Sequence, residues 1–135
     1  MVLASCNKAS YVDKNEIEGI YVGSYTTTNL TRGFSWTTTP TIELKEGKYS
    51  YQEDPFEGWF LVNHSGNYSI SNKKIIFEVT NDVSSTMEIH FAEGYALWYL
   101  GGEYNYTFDG EKLLFSKVIS SPTEEYRVEF EFHKQ

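Results

Sequence analysis

A single cysteine, Cys6, stands among the 135 residues. One thiol cannot close an internal disulfide, so no disulfide framework supports the fold. No stretch of 18 apolar residues occurs, which removes the signature of a transmembrane helix. Basic residues are few: 11 Lys and Arg stand against 19 Asp and Glu, for a net charge of −8. Nucleic-acid phosphates demand a Lys/Arg surplus, and so does a patch that grips anionic lipid; the composition argues against both. It permits a basic partner or a cationic ligand, or serves solubility alone. Leu and Ala, the strongest helix formers, are scarce. There is no Gly-x-Ser-x-Gly nucleophile elbow. The three histidines, His64, His90 and His133, match no metal-ligand spacing.

Aromatic residues are abundant: 11 Tyr, 9 Phe and 3 Trp make up 17% of the chain. They fall in strict alternation. Tyr126, Val128, Phe130 and Phe132 share one phase, against Arg127, Glu129, Glu131 and His133. That is period 2, a half-buried antiparallel strand. Tyr104, Tyr106 and Phe108 repeat the pattern, as do Met87, Ile89 and Phe91. Turn chemistry separates the runs at Glu46-Gly47, Ser71-Asn72-Lys73, Glu93-Gly94, Gly101-Gly102, Asp109-Gly110 and Ser120-Ser121-Pro122-Thr123. The expected strands are 17–28, 41–45, 48–52, 67–70, 74–80, 87–91, 95–100, 103–108, the run after Gly110, and the last segment. One helical turn is expected near Asp13–Ile17, with Asp13 as N-cap. The fold class is therefore all-β, an antiparallel up-and-down meander of about 8–10 strands. Closure into a barrel removes its edges, although two packed sheets would show the same alternation. The Thr-rich stretch 29–40 reads as a loop at the barrel mouth.

Glu88 with His90, and Glu131 with His133, share strand faces, but the phase puts both pairs on the polar outer side. All three histidines read as solvated surface residues. Most carboxylates lie at polar positions or in turns, so a facing acid pair for glycoside hydrolysis is not indicated, and no enzymatic activity is expected. Tyr49, Tyr51, Tyr68, Tyr104, Tyr106, Phe108, Phe115 and Phe130 alternate inward. Buried Tyr hydroxyls need partners, so this set suits either a partly polar cavity or a filled core with hydroxyls at the barrel ends. Phe34, Trp36, Phe56, Trp59 and Phe60 sit in or beside loops, where rings mark interaction sites or fold as a plug. The candidate ligand-binding residues are Phe34, Trp36, Phe56, Trp59, Tyr104 and Tyr106. Asn-x-Ser/Thr occurs at Asn29, Asn63, Asn67 and Asn105 and would matter only in a eukaryotic secreted chain.

Leu3-Ala4-Ser5-Cys6 resembles a bacterial lipobox, in which the signal peptide is cut before a Cys that then carries diacylglycerol. The expected division is a signal-peptide remnant at 1–5, the acylated Cys6 with its tether at 6–16, and one β-barrel domain at 17–135. The alternative for Cys6 is a buried structural thiol. Two acyl chains anchor stably where one is marginal, so the resemblance places the protein in the bacterial cell envelope, touching membrane only through that anchor. Gly19-Ile20-Tyr21 resembles the first-strand Gly-x-Trp of the lipocalin-like superfamily, with Tyr in place of Trp. That superfamily sets an Arg or Lys of the last strand across the Trp ring, and Arg127 is the candidate here. Small bacterial lipoproteins with lipocalin-like domains show similar segments to Gly66–Phe77 and Gly102–Phe115. The resemblance implies a barrel with a ligand mouth, no cofactor and no catalysis. The expected function is binding of a small apolar or amphipathic ligand, by a monomer. The alternatives are a protein–protein module, such as an inhibitor of a basic enzyme, and an uncharacterised enzyme.

Overall fold

The structure is a computed structural model that describes residues 14–53, 62–82, 101–120 and 122–135. A short helix, α1 (Lys14–Ile17), precedes nine strands. They are β1 (Gly19–Asn29), β2 (Phe34–Thr38), β3 (Pro40–Lys45), β4 (Lys48–Glu53), β5 (Val62–Ser71), β6 (Lys74–Asp82), β7 (Gly102–Phe108), β8 (Lys112–Ser120) and β9 (Glu125–Lys134). Every pairing is antiparallel between neighbours in the order β3-β4-β5-β6-β7-β8-β9. β1 joins the two ends of that order, with Tyr21 opposite Ile42 of β3 and Lys134 of β9. Eight strands thus close a barrel, and β2 extends along β1 as a ninth. The expected strands 87–91 and 95–100 lie outside the described residues, as do Asp13, Cys6, Phe56, Trp59, Phe60, Glu88 and His90.

The stretch 29–40 is not one loop. Asn29 ends β1, the turn 30–33 follows, and Phe34–Thr38 pairs back along β1 from Asn29↔Phe34 to Tyr25↔Thr38. β3 continues the same register, Val22↔Thr41. β2 and β3 are one hairpin arm interrupted at Thr39-Pro40, where proline cannot donate to a ladder. The Asn29 side chain sets the turn, its Oδ1 accepting from the N–H groups of Thr31 (3.0 Å) and Arg32 (2.8 Å). Phe34 and Trp36 do alternate with Ser35 and Thr37, but the strand is only five residues long, and its two rings by themselves read as loop aromatics.

The register gives the barrel its width. Gly19 faces Leu44, then Tyr49, Gly66 and Val79. Two residues back along β6, Phe77 faces Gly102; three along β7, Asn105 faces Ser116, then Glu129, then Thr26. The circuit returns to β1 seven residues beyond its start after five residues of slip, a shear of 12. Large stagger goes with strongly tilted strands, and large rings fill the space inside. Phe115 stacks on Phe130 at 4.6 Å, Tyr25 stacks on Phe130 at 4.6 Å, and Tyr104 meets Phe115 edge-on at 5.1 Å. The eight residues expected to alternate inward all do so, with Phe108 only partly buried.

Two inward-phase glycines form corners. A Cβ on Gly23 would lie 1.8 Å from the Glu131 carbonyl oxygen, and one on Gly66 would lie 1.8 Å from that of Glu78. Strands approach too closely there for any side chain, the usual meaning of a strand glycine. Gly66 also sits beside a register shift in the β5–β6 ladder.

One end of the barrel is sealed. The turns Glu46-Gly47 and Asn72-Lys73 take positive φ throughout, the two-residue hairpin form, and Asp109 Oδ1 accepts from the N–H groups of Glu111 and Lys112. Ile17 of α1 is fully buried over this end, and its carbonyl accepts from the Tyr21 hydroxyl at 2.5 Å. Arg127, expected across the Tyr21 ring, does not lie there; Lys134 is the residue opposite Tyr21 in the β1–β9 ladder. Arg127 faces outward beside Glu129 at 3.5 Å. Lys134 pairs with Tyr21, approaches the Phe108 ring at 5.9 Å and donates to the Glu16 carbonyl at 2.9 Å. Phase decides the matter: Lys134 follows Phe130 and Phe132, and Arg127 does not.

Candidate binding site

At the other end β1 turns into β2 through 30–33, and β4, β6 and β8 reach their last residues. The interior there is built differently from the sealed end. β4 alternates Tyr49, Tyr51 and Glu53 inward, and Glu53 is 1% exposed. The Tyr51 hydroxyl donates to Glu53 Oε2 at 2.5 Å. Burial raises the Glu53 carboxyl above its ordinary 4.5, and the hydroxyls of Tyr51 and of Thr38, on the neighbouring arm, draw it partly back. Glu53 Oε1 has no hydrogen-bond partner.

β5 contributes His64, also 1% exposed. Its ring stacks on Tyr51 at 4.8 Å, and its Nδ1 shares a hydrogen bond with the Tyr49 hydroxyl at 3.0 Å. The surface reading of His64 is therefore wrong. Tyr68 and His64 have the same strand phase, and carrying that phase back from residue 68 would have placed the imidazole inside. The same extension by one residue beyond Gln52 would have placed Glu53 inside. His133 is exposed as expected, 3.1 Å from Glu131.

Tyr25 and Tyr104 complete the group. Burial pushes both phenols, and that of Tyr51, above the usual 10.0, and neighbouring ionisable groups add to it: Glu53 for Tyr25, and Tyr25 for Tyr104. The Tyr104 hydroxyl has no hydrogen-bond partner. Lys117 follows Leu113 and Phe115 on the inward phase of β8. Its ammonium lies over the Tyr104 ring, 4.3 Å from the centroid, and donates to the Gly101 carbonyl at 2.7 Å. Burial lowers its pKa below 10.5. At the rim, buried Glu124 pairs with Arg32 and accepts from the Tyr126 hydroxyl.

The sequence-based site divides. Tyr104 belongs to this interior group. Tyr106 is also inward, but lies opposite Phe115 in the aromatic packing. Phe34 and Trp36 lie on β2, not on a loop, with rings stacked at 5.8 Å. Trp36 packs partly buried against the core and Phe34 is 47% exposed. A groove of about 430 Å³ lies across β1, β7, β8 and β9, lined largely by the outward side chains Ser24, Thr26, Asn105, Ser116, Glu129 and Glu131. Its two carboxylates already face Arg127 and His133. Among the described residues no three His, Cys, Asp or Glu side chains converge to hold a metal, and no helix is long and apolar enough to cross a membrane. The sequence matches no protein-family model and no curated protein.

Proposed function

We propose that the chain is a binding protein that takes a small amphipathic ligand at the end of its barrel away from α1. The observation that carries this reading is the division of the interior. A packed aromatic core lies toward one end, and Glu53, His64, Tyr25, Tyr51 and Thr38 gather toward the other. Ligand sites of this kind combine apolar walls with a few placed polar groups. The Leu3-Ala4-Ser5-Cys6 motif supports lipid attachment at Cys6 and a place in the bacterial cell envelope. The test is a thermal-melt screen of small amphipathic compounds. A ligand that binds only the folded state raises the melting temperature in step with the logarithm of its concentration above Kd, by about 2.7 kcal/mol of stability at 100-fold excess over Kd. A screen in which no compound raises the melting temperature removes the reading.

The Phe34–Trp36 stack favours a second reading, a protein–protein module. An exposed ring on a strand beyond the closed barrel is a contact feature, and a charge of −8 steers basic partners. Association would then slow steeply as salt rises.

A further inference from the structure

Two carboxyls are buried among the described residues, and they are provided for differently. Glu124 has the Arg32 guanidinium and the Tyr126 hydroxyl. Glu53 has hydroxyls only: Tyr51 bonds Oε2, Thr38 stands beside it, and Oε1 meets no donor. A carboxylate removed from water without a cation or a full set of donors is costly. The inward ammonium, Lys117, is already held by the Gly101 carbonyl and the Tyr104 ring. A second unmet group, the Tyr104 hydroxyl, is 1% exposed and lies within electrostatic reach of Tyr25 and Tyr49. Among the described residues the groups that bond Glu53 are hydroxyls, and the tyrosine beside it presents a ring face, which attracts cations. Glu53 is the last residue of β4, at the barrel end away from α1.

We propose that the site receives a small organic molecule bearing a primary ammonium group, with Glu53 Oε1 accepting from that ammonium. This deepens the reading above and rests on it. The wall chemistry selects N–H donors over quaternary nitrogen, because Oε1 needs a hydrogen to accept.

The experiment uses the full chain with phenethylamine and hexylamine, with phenethyl alcohol and phenylacetate as neutral and anionic counterparts. Binding is followed by calorimetry and thermal melts at neutral pH. The amines should bind saturably, and the alcohol and acid should not. E53Q keeps the shape and removes the charge, and should weaken amine binding by about tenfold or more, the scale of a hydrogen bond to a charged group. E53D keeps the charge and shortens the reach; it should retain the preference for amine over alcohol at lower affinity, and it serves as the second variant should E53Q fail to fold. Equal amine affinity in the wild type and E53Q overturns the proposal. If phenylacetate or the alcohol binds and the amines do not, the ammonium assignment falls while the binding function stands. If no probe and no compound of the wider screen binds, both fall.

Discussion

Tyrosine in place of phenylalanine gives this core an unusual dependence on alkali. Burial holds the phenols of Tyr25, Tyr51 and Tyr104 above 10.0 and that of Tyr68 at about 12. In the unfolded chain these groups lose protons near 10.0. The folded state binds the protons more tightly, so the stability they contribute is intact below pH 10.0 and falls as pH rises past it. Tyrosinate absorbance from these residues should therefore appear together with cooperative unfolding. Ionisation of all of them near pH 10 with the fold intact would mean that the hydroxyls reach water. The same residues show what a sequence reveals at this scale. Tyr104 and Tyr51 were legible as inward because each sits in a run of like phase. Glu53 and His64 were not, because a polar side chain is read as outward by its chemistry unless the neighbouring phase overrules it. A binding site is where that conflict between chemistry and phase is expected.

Individual strands depend on a few backbone positions. Gly23 lets β1 press against β9 with no room for a Cβ. Gly23→Ala should cost about 1–3 kcal/mol, the range for forcing extra atoms into a packed interior, read as a lower midpoint in urea with an unchanged slope. An unaltered midpoint would show that β9 yields at Glu131 without strain. The hairpins at Glu46-Gly47, Asn72-Lys73 and Asp109-Gly110 were visible in the sequence because turn chemistry is local. β2 was not: Phe34 and Trp36 alternate with Ser35 and Thr37, but two rings in five residues are too short a pattern, and its partner β1 supplies the reason for its extension. Lys134, rather than Arg127, beside Tyr21 is a matter of register, which depends on the facing strand as much as on its own residues.

For the molecule as a whole, the proposed tether makes a prediction independent of ligand. Diacylation at Cys6 would hold the barrel to a bilayer, and the wild type should partition with membranes when expressed with a full secretory signal in a bacterium. Cys6→Ala should release it to the aqueous fraction without changing its melting temperature. Equal partitioning of the two proteins would remove the lipid anchor. An all-β antiparallel architecture was legible from period-2 patterning along the chain, and closure was expected because a long meander loses its edges only by closing, although the alternation alone fits two packed sheets equally well. Closure rests on β1 meeting both β3 and β9, a relation between the ends of the domain that alternation does not encode.

That closing pair also governs how the chain comes to fold. β1 and β9 are separated by nearly the whole length of the described domain, and their nine-residue ladder runs from Tyr21↔Lys134 to Asn29↔Tyr126. Contacts so distant along the chain are slow to form, and β folds dominated by them take roughly milliseconds to seconds. A growing or translocating polypeptide would carry β1 with one flank unoccupied until β9 was free, since β9 comes last among the described strands. Until then both flanking strands would be open templates for pairing with another chain. The arrival of β9 is therefore the step at which folding competes with aggregation, and a nascent chain is most in need of a chaperone just before β9 becomes free.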